Sequence, residues 1–287
     1  MEPVRLTRRR RLAVLGILAV AAVVVGAFVG GQQPSRAVAQ QPVTTDAAPA
    51  AAAPAQEPAA EAVKAVPQQG PSAAAEKPSG PPAPVRNGFL TARIAPGTSV
   101  VLRAKPDGRR IVTLDARTEF GSPRVLSVVE RRGDWLGVHV PELPNGTLGW
   151  LDGSATPLRF RWTTLSVRVD LSERRLVVRD GGKVVREAVI AVGSSATPTP
   201  TGRFAVTDML DGAPWAGVYG CCIVALTATQ PQLASWWQGG NRIAIHGTPQ
   251  PELVGQPVSN GCLRAYEEDI RFLFERLPLG TPVTIVA

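Results

Sequence analysis

The chain has 287 residues, of which 44% are hydrophobic and 19% charged, with 28 Gly, 27 Pro and a net charge of +8. The glycines lack the every-third-residue period of collagen, and Val- and Leu-rich runs toward the C-terminus exclude a wholly disordered chain. Residues 1–39 carry six Arg against one acid, which is +5 of the +8. The charge is therefore not the basic folded surface of a nucleic-acid binder, and no nucleic acid is expected as a partner.

In chain order, the first predicted element is Leu12–Val29, 18 residues without a charge, directly after Arg8, Arg9, Arg10 and Arg11. As a helix it would span ~27 Å, close to a bilayer core. The arginines predict a cytoplasmic N-terminus with everything after Gly31 outside. The expectation is a single-pass signal anchor in the cell membrane, with the later domains extracellular or periplasmic. The alternative is cleavage after Ala39, in the small-x-small stretch Ala37-Val38-Ala39, which would release the protein to the cell wall. The apolar stretch is long for a cleaved signal, which favours the anchor.

Residues 40–87 hold 15 Ala and 10 Pro among 48 residues and no aromatic. Such a stretch cannot bury enough apolar surface to offset the entropy of ordering. It reads as a disordered, semi-extended linker reaching at most ~150 Å. Of the 15 Phe, Trp and Tyr, only Phe28 precedes Phe89, so a packed core is expected within residues 88–287.

Residues 88–160 show short apolar runs, Val100–Leu102, Ile111–Leu114, Val125–Val129, Trp135–Val140 and Gly149–Leu151. Turn sequences Pro106-Asp107-Gly108, Gly121-Ser122-Pro123, Arg132-Gly133-Asp134 and Pro144-Asn145-Gly146 separate them. This pattern predicts a small all-β barrel. The stretch from Gly133 through Trp135 and Val138, then Asn145 through Gly149-Trp150-Leu151, resembles bacterial SH3-like domains. Members of that family often bind cell-wall peptide or act as spacers. Core packing is the ordinary use of Trp135 and Trp150, and His139 reads as structural.

Residues 161–287 open with Leu165, Val167, Val169 and Leu171 alternating with polar residues, a half-buried strand. Leu176–Arg179 and Val184–Val192 flank the tight-turn sequence Asp180-Gly181-Gly182. Further strands are predicted at Arg203–Leu210, Ile223–Leu226, Arg242–Ile245 and Pro282–Val286. One helix is predicted at Tyr266–Leu277, with Ile270, Leu273, Phe274 and Leu277 on one face and Pro278 as its stop.

The chain has only two His and three Cys. Cys262 lies in Ser259-Asn260-Gly261-Cys262-Leu263-Arg264, just before the predicted helix, and His246 ends a strand. A thiol becomes a nucleophile with help from a base or a positive environment. His246, Arg264 and the positive end of the helix could each supply it. Gly261 permits a tight backbone approach and could leave amides free for a developing oxyanion. A buried cysteine and a core histidine would use the same residues, and composition alone leaves both readings open.

Longer motifs carry more. Ile243-Ala244-Ile245-His246-Gly247-Thr248 and Val258-Ser259-Asn260-Gly261-Cys262-Leu263-Arg264 closely resemble the L,D-transpeptidase (YkuD) family. So do Thr199-Pro200-Thr201-Gly202-Arg203-Phe204 and Pro278-Leu279-Gly280-Thr281-Pro282-Val283. Asn260 departs from the pattern, since the family often has His between Ser and Gly. The resemblance implies a β-sandwich cysteine transpeptidase of peptidoglycan, acylated by carbapenems, with stem peptides and the cell wall as partners.

By that resemblance Cys262 attacks a donor tetrapeptide stem, D-Ala leaves, and an acceptor amine resolves the thioester into a 3–3 cross-link. It gives His246 the proton transfers, the Gly247 carbonyl the orientation of the imidazole, and Arg264 support of loop and substrate. Gly261, Ser259 and Asn260 would support the loop or oxyanion, and Tyr219 and Thr248 would meet substrate. No metal or cofactor is expected, and the His and Cys lack paired zinc-site spacing. Hydrolysis of the L,D-carboxypeptidase kind and a catalytically inactive wall-binding protein are the alternatives. A sortase would have Thr-Leu-x-Thr-Cys, and a papain-like peptidase would place Cys before His.

The expected fold class is all-β: an SH3-like small barrel, then a β-sandwich with one helix, after a membrane helix and a disordered spacer. The expected segments are 1–39, 40–87, 88–160 and 161–287. Cys221 and Cys222 are adjacent, and neighbouring Cα atoms sit ~3.8 Å apart, below the ~4.4 Å floor of ordinary disulfides. They are expected to be free thiols, with a strained Cys221–Cys222 bridge as the second reading and pairing of either with Cys262 as the third.

Overall fold

The computed structural model describes residues 81–154, 157–215, 217–233 and 240–287. The expected anchor at Leu12–Val29 and most of the linker lie outside the described residues. Among the described residues no helix is long and apolar enough to cross a membrane.

Seven strands form the first sheet: β1 (Phe89–Ile94), β2 (Ser99–Arg103), β3 (Arg110–Asp115), β4 (Val125–Arg132), β5 (Trp135–Val138), β6 (Gly149–Asp152) and β7 (Leu158–Thr163). Their order is β3-β2-β6-β5-β4-β1-β7. Period-two alternation sends Ala92, Ile94, Val100, Leu102, Leu114, Leu126, Leu136, Val138 and Leu151 to one side, and all lie in one buried cluster. The cluster draws only on this part of the chain, so the sheet curls around its own core. Its tight turns rest on residues that accept positive φ, among them Asp107, Gly133 and Gly146. Strand β7 pairs with β1 along its whole length, so the expected boundary at 160/161 falls inside a strand.

The second sheet contains β8 (Leu165–Asp170), β9 (Arg175–Asp180), β10 (Lys183–Gly193), β11 (Gly202–Asp211), β12 (Cys222–Thr229), β13 (Arg242–His246), β14 (Pro257–Ser259), β15 (Leu263–Ala265) and β16 (Pro282–Val286). The order β14-β10-β15-β13-β12-β11-β16-β8-β9 closes on itself, because β9 also pairs with β10. The 11 residues of β10 serve both ends: Lys183–Val189 pair with β9, while Ile190 and Ala191 pair with β15. Gly181 and Gly182 both have positive φ, as a two-residue hairpin turn between β9 and β10 requires.

Helix α1 (Glu267–Arg276) matches the expected span to within its caps. Ile270, Leu273 and Leu277 join the buried core with Val167, Val169, Leu176, Val178, Val224, Leu226, Ile243, Ile245 and Leu263. Arg186 on β10 ties the helix down through Asp269, at 2.6 Å from Nε.

One expectation fails in this sheet. Cys221 and Cys222, at the start of β12, form a disulfide with each other, with Cα atoms 3.7 Å apart. Adjacent side chains that cannot separate close the bridge at a spacing below the ordinary range. Cys262 is then the free cysteine.

Candidate active site

The site is built where β13 and β15 run side by side in parallel, with Ile245 opposite Leu263 and His246 opposite Arg264. Alternation then divides the residues. Ile243, Ile245, Leu263 and Ala265 turn into the core, all fully buried. Ala244, His246, Cys262 and Arg264 fall on the other face. A base, a thiol and a cation from two stretches of sequence thus share one surface of the sheet.

His246 is 2% exposed. Its Nδ1 lies 2.6 Å from the Gly247 carbonyl oxygen. A carbonyl only accepts, so Nδ1 carries the proton and the Nε2 lone pair is left for base chemistry. Burial lowers the His246 pKa to about 4; the Gly247 hydrogen bond opposes this and the Arg264 charge adds to it. The Tyr219 ring meets the imidazole edge-on at 4.8 Å between centroids.

The Cys262 sulfur lies 3.9 Å from the Arg242 carbonyl. Burial pushes its pKa up, against the opposing pull of the Ala244 amide and the Arg264 charge. Both shifts point the same way: burial favours the neutral thiol at Cys262 and the neutral imidazole at His246.

The loop before the sulfur is held from three sides. Ser259 Oγ donates to the Cys262 carbonyl at 2.6 Å and accepts the Gly261 amide at 3.0 Å. Thr199 Oγ1 accepts the Gly193 amide and donates to the Gly261 carbonyl, both at 2.8 Å. Gly261 has φ +112°, and an added Cβ would come within 2.7 Å of Gln230 Nε2 and 2.9 Å of Ile243 Cδ1. Only glycine meets both demands.

Several expectations are refined. The Gly261 amide is engaged by Ser259, so Gly261 shapes the loop and its N–H is not free for an oxyanion. Ser259, 1% exposed, is a brace. Asn260 is exposed. Thr248 is buried and accepts the Gln250 amide at 3.1 Å, a loop contact. The positive end of the helix is not at the sulfur: β15 intervenes, α1 starts at Glu267, and Glu267, Glu268 and Asp269 occupy its first turn.

Sequence reasoning missed the Ala244 amide, the Gln230 buttress and Arg242, none of which carries a motif. It also gave no role to Glu267, which accepts the Cys221 amide through both oxygens at 3.2 Å. That carboxylate packs against Gly220 and Gly247, which have no room for a Cβ there. Among the described residues no group of three or more His, Cys, Asp or Glu could hold a metal ion.

The family model for the L,D-transpeptidase catalytic domain (YkuD) matches residues 165–285. The L,D-transpeptidase-type protein YqjB of Bacillus subtilis is 32% identical over 126 residues, covering 42% of this chain and 69% of its own length. YkuD of Bacillus subtilis is 29% identical over 119 residues, and the chain spans 64% of its length. Among solved structures, the catalytic domain of the Enterococcus faecium L,D-transpeptidase is 26% identical with a TM-score of 0.32, covering 42% of this chain and 96% of that one. With Cys262, His246 and Arg264 on one face of a sheet that this family model spans, the chain belongs to the L,D-transpeptidase (YkuD) family.

Proposed function

We propose that the protein is a peptidoglycan L,D-transpeptidase that makes 3–3 cross-links through a thioester on Cys262. The observation that carries this reading is the His246 Nδ1 to Gly247 carbonyl bond. It fixes the tautomer, so that Nε2 can take a proton on the face that also bears the thiol.

In the first half-reaction His246 takes the Cys262 proton as sulfur attacks the carbonyl of the third stem residue. The same proton passes to the departing D-Ala nitrogen as the peptide bond breaks. In the second, an acceptor side-chain amine attacks the thioester, gives its proton to His246, and the thiol is restored. Arg264 lies close enough to act on both groups, and its charge suits the negative charge that develops on the attacked oxygen. Tyr219, against the imidazole, is positioned to meet substrate.

Water in place of the amine would make the protein an L,D-carboxypeptidase. An inactive wall-binding role is disfavoured, because it gives no reason for a loop so fully braced around a thiol. We read the curled sheet as an SH3-like module, Leu12–Val29 as a membrane anchor, and residues 40–87 as a spacer that carries the enzyme out to the wall. Incubation with a disaccharide-tetrapeptide followed by mass analysis tests the function. The proposal requires a cross-linked dimer; trimmed monomer alone means hydrolysis, and unchanged substrate refutes both.

A further inference from the structure

Two of the contacts between the curled sheet and the catalytic sheet share one rung. Asn145, in the turn Pro144-Asn145-Gly146, donates from Nδ2 to the Thr229 carbonyl at 2.6 Å and accepts the Thr229 amide at 3.0 Å. It pairs with the end of β12 as another strand would. Across the ladder, Thr229 is opposite Arg242.

Arg242 makes the second contact. Its guanidinium is nearly buried, with 8% of the side chain exposed, and pairs with Glu119 of the curled sheet. The Phe120 ring stacks on it at 5.7 Å. It also donates to Thr207 Oγ1 and to the Leu226 carbonyl, each at 2.6 Å. Next to it Thr118 hydrogen-bonds the fully buried Asp208. The loop bearing these residues is itself held: Arg124 reaches the Asp115 and Arg117 carbonyls and pairs with Glu142 at 2.7 Å.

The shared rung adjoins the nucleophile. The Arg242 carbonyl is the acceptor beside the Cys262 sulfur. Gln230, the residue after Thr229, fills the space under Gly261 and donates to the Pro198 carbonyl at 2.8 Å. A spacer or wall-binding module would not need a nearly buried arginine held by groups of both sheets at this spot. Glu119 keeps 45% of its side chain exposed, so the pair adds little stability, while the bonds to Thr207 and Leu226 hold the guanidinium in one place.

We propose that the curled sheet is a working part of the catalytic centre, with Asn145, Glu119 and Arg242 as positioning residues that fix the Thr229–Arg242 rung and through it the Cys262 sulfur. The proposal rests on the reading of Cys262 as the nucleophile.

The test measures the rate of Cys262 alkylation by iodoacetamide against pH in the full chain, with kcat and KM in parallel. Alkylation reports on the sulfur whatever the reaction, so failure of the transpeptidase reading stays distinguishable. Asn145→Ala and Glu119→Ala are expected to shift the alkylation profile and lower kcat about ten-fold with KM little changed, since small displacements of a reacting group are costly. Glu119→Gln, which keeps an oxygen for Arg242, should recover most of the loss. The mild variant Asn145→Asp keeps the acceptor and loses the donor, and should fall between. Arg132→Ala, on the surface strand end of the same sheet, should change nothing. Folded Asn145→Asp and Glu119→Ala proteins with lowered melting temperature but the wild-type alkylation profile and kcat would overturn the proposal.

Discussion

His139 in the curled sheet and His246 in the catalytic sheet are built alike. Each has Nδ1 against a backbone carbonyl, Thr147 at 3.1 Å and Gly247 at 2.6 Å. Burial lowers the pKa of each. What differs is the company. His139 borders a small cavity with Thr118, Glu119 and Arg242, and no cysteine. His246 lies on a rung with Arg264, and alternation brings Cys262 to the same face. An oriented neutral imidazole is therefore common to both regions, and the neighbouring strand decides which one shares its face with a thiol and is the base of the proposed reaction.

The sharpest way to break this comparison is to remove each imidazole. His246→Ala should lower turnover by ~10²–10⁴ while the circular dichroism spectrum stays as in wild type. Retention of more than about a tenth of the activity would remove His246 as the base.

Acid should separate the regions next. The His246 imidazole takes a proton near pH 6.5 when unfolded and only near pH 4 when folded. Between those values the unfolded chain binds more protons, so stability is full above pH 6.5 and falls as pH drops toward 4. The loss is roughly 3 kcal/mol. Denaturant midpoints at pH 7 and pH 4.5 should show it, and the difference should shrink in His246→Gln; an equal difference in both proteins would contradict the assignment.

Thr199→Val keeps the shape and removes the hydroxyl that serves the Gly193 amide and the Gly261 carbonyl. The expected cost is about 1–3 kcal/mol of stability, read from urea unfolding. The smallest effect should come from His139→Gln, with turnover within about two-fold of wild type, since its ring bonds the Thr147 carbonyl and not the Thr229–Arg242 rung. A large loss there would show that the two histidines are not so different after all.

Much of this was legible in the residues. The alternation over Leu165–Leu171, the Gly181-Gly182 turn and the 3–4 spacing of α1 are local signals, and they led to β8, the β9–β10 hairpin and the helix. Cys262 and His246 were legible through their motifs. Strands β14 and β15 were not, because three residues carry no period. They exist because β10 and β13, distant in sequence, present edges to them. The same non-locality hid Arg242 and Asn145, which meet across the two sheets, and Gln230, whose partners Pro198 and Gly261 are distant in sequence. The role of the helix end at the sulfur was misjudged because a short strand between Cys262 and Glu267 leaves no mark in composition. The Cys221–Cys222 bridge ranks second to free thiols in the sequence because a general spacing rule outweighs the bare adjacency of two thiols.

The central claim is that Cys262 is the acylated nucleophile, and mass mapping of the trapped acyl-enzyme tests it most directly. Protein treated with a carbapenem, or quenched during turnover of a disaccharide-tetrapeptide, should carry one adduct, on the peptide containing Cys262, and Cys262→Ala should carry none and form no cross-link. An adduct on any other peptide, or cross-linking by Cys262→Ala, would contradict the account.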